Sequence, residues 1–352
     1  MRMTRVLAAL ITAPLVGLVL SAPTAQADPD PKLSVVKVEL NRSSVAVSSL
    51  NTVPVKLKVT GGYDSTDPGQ ANLTMHAYLK RTAGSGQNNI LISTELKRTS
   101  GTTLSGTWEG NVNVPSTANG AFEVSGVLPG AFAPGSGDMT EPTPVPNPPK
   151  LTVAGSNIPK ITARVLPDPV PFGSGFTIRW SVINGQTAKP YGTRLRVALQ
   201  LDNECVESFG GSNALTDTNG YVSKTYPSSV ADWLHCLLLP GDPAPNGWLS
   251  LVVNRPGIVS ATPSKTSAPV GSIVPVNGTV VGAPAGCPVS LQRLYGATAW
   301  RSVGTAKVRQ SSGRFVLNAQ PPYKGFIPYR VSFPVCNRYR AGVSKTFTIK
   351  GV

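Results

Sequence analysis

Hydrophobic and polar residues alternate with a period of two in several stretches of the chain, and almost nowhere with the period of a helix. In VPVKLKV, Val53, Val55, Leu57 and Val59 fall on one face while Lys56 and Lys58 fall on the other. FTIRWSV puts Phe176, Ile178, Trp180 and Val182 opposite Thr177, Arg179 and Ser181. RLRVALQL sets Leu195, Val197, Leu199 and Leu201 against Arg194 and Arg196. Each pattern predicts a strand with one buried and one wet face, as antiparallel sandwiches produce. Turn residues recur at strand-like intervals, supplied by 35 glycines and 33 prolines. The one helix candidate is short, from Ser228 to Leu234.

Breaks in this pattern divide the chain. Residues 142–149, PTPVPNPP, hold five prolines and predict an extended spacer, because proline fixes φ and removes a backbone donor. A linker over 142–160 then separates a first domain, 28–141, from a second, 161–255. A softer boundary near Arg255-Pro256-Gly257 opens a third, 256–352. Domains two and three repeat one plan. Each passes a Gly-Ser turn (Gly173-Ser174, Gly271-Ser272), then RLRVALQL or PVSLQRL, then a glycine turn in TDTNGYVSKTY or RQSSGRFVLN. Asn219-Gly220 suits a two-residue hairpin, since both residue types accept positive φ.

Domains of about 100 residues with many short strands have the size of an immunoglobulin-like sandwich. The segments 100–124 (SGTTLSGTWEGNVNVPSTANGAFEV) and 286–318 (GCPVSLQRLYGATAWRSVGTAKVRQSSGRFVLN) also resemble immunoglobulin-like domains of secreted actinobacterial proteins. The shared features are a G-x-W-type strand, a V-P pair and a glycine turn in similar order. The resemblance covers about half the chain after residue 27. It implies an extracellular β-sandwich module and carries no catalytic residue. The expected fold is therefore all-β, with three tandem immunoglobulin-like sandwiches after a signal peptide.

That leader is residues 1–27. Arg2 and Arg5 precede an apolar run from Val6 to Leu20, and Ala25-Gln26-Ala27 offers small residues at the cleavage position. The run is shorter than the ~20 residues that span a bilayer and is broken by Pro14 and Gly17. The expectation is a secreted, extracellular protein, in contact with a cell wall or free of it. Cysteine usage agrees. Four cysteines allow three pairings. Keeping each bridge inside one domain favours Cys205–Cys236 and Cys287–Cys336, structural disulfides for an oxidising compartment.

Catalytic chemistry has little material. The chain holds two histidines and 17 carboxylates. His76 and His235 fall in different domains and no G-x-S-x-G elbow accompanies them, so both are expected at surface or edge positions. His235 and Cys236, as neighbours in a strand, face opposite ways. No zinc or EF-hand spacing is present. Asp64 and Asp67, with Asp202, Glu204 and Glu207, are expected to be solvated loop acids rather than a calcium site. Asn41, Asn72 and Asn277 begin N-x-S/T sequons, relevant only in a host that glycosylates. The expectation is no enzyme, no metal and no cofactor.

Charge is distributed very unevenly. From Pro256 to Val352 there are twelve lysines and arginines and no aspartate or glutamate, whereas 28–141 and 142–255 are nearly balanced. The cations of the last 97 residues thus lack carboxylates of their own, which points to an anionic partner. Arg338-Tyr339-Arg340 reads as a loop tip and, with Arg293 and Lys324, is the candidate ligand site. Trp300 and Tyr329 read as core residues. The leading function is a non-enzymatic binding or scaffold protein contacting an anionic polysaccharide, wall polymer or membrane surface. The alternatives are a module that reads another secreted protein, as an adhesin or inhibitor does, and an accessory subunit of a secreted hydrolase. Nucleic acid is disfavoured for want of a recognition helix.

Overall fold

The computed structural model describes residues 28–65, 67–130, 141–156, 159–201, 205 and 212–352. The leader, 1–27, and the acids Asp202, Glu204 and Glu207 lie outside the described residues. Strands dominate, and the helical turns among the described residues are two short 3-10 segments, Pro68–Asn72 and Ser228–Val230. The second lies where the short helix was expected.

Among the described residues, six sheets pack over three large apolar cores. The first core packs Val55, Leu57 and Val59 against Leu79, Trp108 and Phe122. The Trp108 indole N–H donates to the Leu73 carbonyl at 2.9 Å, so the ring is buried without an orphaned donor. The second core holds Phe176, Ile178, Trp180 and Val182, the inward face of FTIRWSV. The third is built from Val274, Leu291, Phe315, Ile327, Tyr329 and Phe333. The chain is an all-β protein of tandem two-sheet sandwiches.

Both expected disulfides form, with Cα–Cα separations of 5.6 Å for Cys205–Cys236 and 6.0 Å for Cys287–Cys336. The first sets the character of its sheet. Cys205, Cys236, Ala198 and Leu238 make a small cluster, with Leu234 and Trp248 against it, on the face away from the main core. All five residues of His235–Leu239 are consequently buried.

Several expectations are corrected. Residues 142–160 are not a free spacer. Thr143–Pro144 pairs with Gly120–Pro129 at a sheet edge, where proline's missing donor is tolerated. Val145 enters the first core, and Lys150–Gly155 pairs with two strands of the first unit. Proline removes a donor but keeps its acceptor: the Pro149 carbonyl takes the Val124 N–H at 3.1 Å. Both histidines are buried rather than peripheral. The His76 Nδ1 lies 3.0 Å from the Ser93 carbonyl oxygen. Asn219-Gly220 does not close a hairpin, because Ser212–Leu215 and Tyr221–Tyr226 belong to different sheets.

That turn and its counterpart in the third unit nevertheless bear out the repeat. The Val182 N–H donates to the Gly220 carbonyl and the Val280 N–H to the Gly313 carbonyl, both at 2.9 Å. Gly220 and Gly313 have φ of 81° and 66°, and a Cβ at either would collide with that valine's carbonyl oxygen.

The units meet through direct contacts. Side chains of the first unit donate to carbonyls of residues 242–248 of the second, a loop and the start of the strand Gly247–Leu251: Asn113 to Asp242 at 3.1 Å, Asn88 to Pro245 at 3.1 Å, Thr117 to Asn246, and Gln87 to Trp248 at 2.7 Å. The second and third units are joined by Arg255, whose N–H donates to Arg338 and whose carbonyl accepts from Arg340, at 2.9 and 2.8 Å.

Candidate functional site

The Arg338-Tyr339-Arg340 segment is a turn beside the Cys287–Cys336 bridge, but it is not a free tip. The Cys336 N–H donates to the Tyr339 carbonyl and the Tyr339 N–H to the Cys336 carbonyl, closing the turn. Tyr339 is 6% exposed, donates its hydroxyl to the Gly282 carbonyl at 2.9 Å and packs edge-on against Phe333. Arg338 pairs with Asp232 at 2.7 Å and Arg340 with Asp168 at 3.0 Å. These carboxylates come from the second unit, so two cations of the acid-free third unit find their partners across the junction. The candidate ligand tip is an interface between sandwiches.

Arg255 completes that junction. Its side chain is only 5% exposed and shares the Asp232 carboxylate, at 3.1 Å. The guanidinium also lies 5.0 Å from the centre of the Phe172 ring. Asp232→Ala is expected to lower stability by about 1–2 kcal/mol, the low end for a buried charge left unpaired, since the carboxylate itself is well exposed. Asp168→Ala, which breaks a pair exposed on both sides, is expected to cost less than about 1 kcal/mol. Urea unfolding of both variants checks the order.

The other candidates, Arg293 and Lys324, lie toward the opposite end of the third sandwich. Along Pro288–Tyr295 the inward positions run Val289, Leu291, Arg293, Tyr295, so the face that supplies the core turns cationic as it leaves it. The neighbouring strand, Ala299–Lys307, sets Arg301 directly opposite Arg293. Both guanidinium groups lie over the Tyr295 ring, 4.4 Å and 4.9 Å from its centre, and Arg293 donates to the Tyr295 hydroxyl. Arg293 also opposes Tyr329 on the next strand. Tyr329 is a core residue, as expected. Burial raises its phenol above the ordinary range, while the Arg293 charge works the other way and the nearby Tyr323 reinforces the rise. Tyr323 and Lys324 are both exposed, in the loop that leads into Gly325–Phe333.

The outer face of the same sheet carries a second cation and ring. Trp300 is half-buried there rather than in the core, with the Arg330 guanidinium 4.3 Å from its ring centre. Arg330 also donates to Gln292 at 2.8 Å. Sequence reasoning passed over the pairing of Arg293 with Arg301. The signal was available: the two are equidistant from a turn at Gly296-Ala297-Thr298, which puts them opposite in any hairpin closed there. Among the described residues no group of three or more His, Cys, Asp or Glu side chains could hold a metal ion. No helix among them is long and apolar enough to cross a membrane.

No family model matches the chain, and no curated protein does. Among solved structures it is similar to Dpr2 Ig1-Ig2 in complex with DIP-Theta Ig1-Ig3, at 9% identity over 90% of this chain and 99% of that one, with a TM-score of 0.24. It is also similar to trypsin-activated alpha-2-macroglobulin from Escherichia coli, at 10% identity and a TM-score of 0.22 over 93% of this chain. Salmonella alpha-2-macroglobulin reacted with methylamine gives 11% identity and a TM-score of 0.21 over 92%. The chain matches 24% of the length of each macroglobulin. Likenesses this low do not bear on function. The class rests on the sheets themselves: tandem β-sandwiches carrying two disulfides.

Proposed function

We propose that the protein is an exported, non-catalytic binding or scaffold protein whose third sandwich contacts an anionic cell-surface polymer bearing repeated phosphate or carboxylate groups. The observation that carries this reading is the Arg293–Tyr295–Arg301 group. Like charges directly opposite on paired strands cost stability. Here two guanidinium groups face each other over one ring, in a stretch of 97 residues without a carboxylate to separate them. An anion placed between them would relieve that repulsion and accept charge-assisted hydrogen bonds from both. Two disulfides and the apolar leader support export.

Polyphosphate serves as a test ligand. The chain from Asp28 to Val352 is expected to bind it at low salt, with affinity falling steeply as ionic strength rises through counterion release. Replacing Arg293 and Arg301 by Ala is expected to weaken binding by about tenfold and flatten the salt dependence. Arg338→Ala and Arg340→Ala are expected to leave binding unchanged, because those cations are already paired at the junction. No binding at any ionic strength, or full binding by the Arg293/Arg301 double variant, would overturn the proposal.

A further inference from the structure

The end of the third sandwich remote from the second unit leaves several large apolar side chains exposed. Two of its loops are tied together: the Gly271 N–H donates to the Pro321 carbonyl at 2.8 Å, and the Gln320 side chain to the Gly271 carbonyl at 2.6 Å. From this pair of loops and the strand that leaves it, Phe326 is 73% exposed, Ile273 66% and Tyr323 52%. Their sequence neighbours Val274 and Ile327 fill the core, so these side chains are surplus to it. Lysines flank them. Lys324 lies between Tyr323 and Gly325-Phe326 and is exposed, and the Lys350 ammonium sits 5.6 Å from the centre of the Phe326 ring.

We infer that this end docks on an anionic lipid bilayer, with Ile273, Tyr323 and Phe326 entering the interface and Lys324 and Lys350 meeting the headgroup phosphates. The inference goes beyond the proposed polymer contact, since it stands on other side chains and a different kind of surface. A hydrophilic polyanion would satisfy the lysines but offers nothing to Ile273 or Phe326. An acidic protein would need a matching apolar hollow to receive loops that project from a sandwich end. A bilayer supplies apolar depth and negative charge together, and aromatic rings beside lysines are the composition that lodges at its boundary. Each lysine near an anionic leaflet adds attraction that decays within a Debye length, while the apolar part of the contact is insensitive to salt.

The test uses the chain from Asp28 to Val352 with vesicles of phosphatidylglycerol and phosphatidylcholine in equal parts, vesicles of phosphatidylcholine alone, and soluble polyphosphate. The expected result is co-sedimentation with the anionic vesicles, a fraction of which survives high salt. Replacing Ile273 and Phe326 together by Ser is expected to weaken vesicle binding by about a hundredfold, roughly tenfold for each apolar side chain kept out of the interface. Polyphosphate binding by the same variant should not change, which also reports that it is folded. Lys324→Glu should weaken binding to anionic vesicles only. A Ser double variant that binds vesicles as tightly as the wild type overturns the inference. So does wild-type protein that binds polyphosphate but no vesicle, an outcome that leaves the polymer reading standing. Failure with both probes removes both. Self-association in place of vesicle binding would assign the surface to a second copy of the chain.

Discussion

Reducing the Cys287–Cys336 bridge is expected to destabilise the third sandwich by about 4 kcal/mol, the loop-closure value for a span of some fifty residues. The bridge closes 49 residues of sequence, from the strand entering Pro288–Tyr295 to the turn that carries Arg338 and Arg340. Cys287 is buried in the core, and Tyr339 is anchored three residues beyond Cys336. Loss of the crosslink therefore releases the turn that meets Asp232 and Asp168, so the junction should loosen together with the sandwich. Urea unfolding of a Cys287→Ser/Cys336→Ser variant measures the first effect. Small-angle scattering at low urea measures the second, as a broader distribution of distances. Equal unfolding midpoints for variant and wild type would contradict the expectation.

Acid should act on the second sandwich through His235. The ring is fully buried, edge-on to Phe176 and Tyr226 at 5.3 and 4.8 Å, and among the described residues no group meets either nitrogen in good hydrogen-bond geometry. Burial pushes its pKa down to about 4, against a smaller opposing contribution from the backbone at Trp233. The Tyr226 phenol is raised to about 12 and stays neutral throughout. Between pH 6.5 and 4 the unfolded chain takes up the imidazole proton while the folded one does not, so stability falls as pH falls. The full contribution holds above about pH 6.5, and a depression of this size removes about 3 kcal/mol by pH 4. His235→Leu should abolish that slope while leaving carboxylate titration in place. Urea titrations of both proteins at pH 7, 5.5 and 4 check it, and parallel slopes would refute it.

The strands were legible because period-two alternation is a local property that a sheet with one wet face must express. FTIRWSV buries the four residues its pattern selects. The cysteine pairing followed from the same local organisation, and the charge imbalance is a matter of counting. What the sequence concealed depends on the partner across space. His235 looks peripheral in HCLLL because alternation assumes one wet face, and here the Cys205–Cys236 cluster covers the other. The proline run looks like a spacer because proline lacks a donor, yet its carbonyls and Val145 still build sheet and core. Arg338 and Arg340 look unpaired because their carboxylates, Asp232 and Asp168, lie more than a hundred residues upstream, in another sandwich. By itself the sequence determined strand periodicity, the bridges and the sign of the third unit's charge. The tertiary structure alone decided which cations are paired at the junction and which stay exposed at the far end, because that depends on which surfaces the packed sandwiches hide from one another.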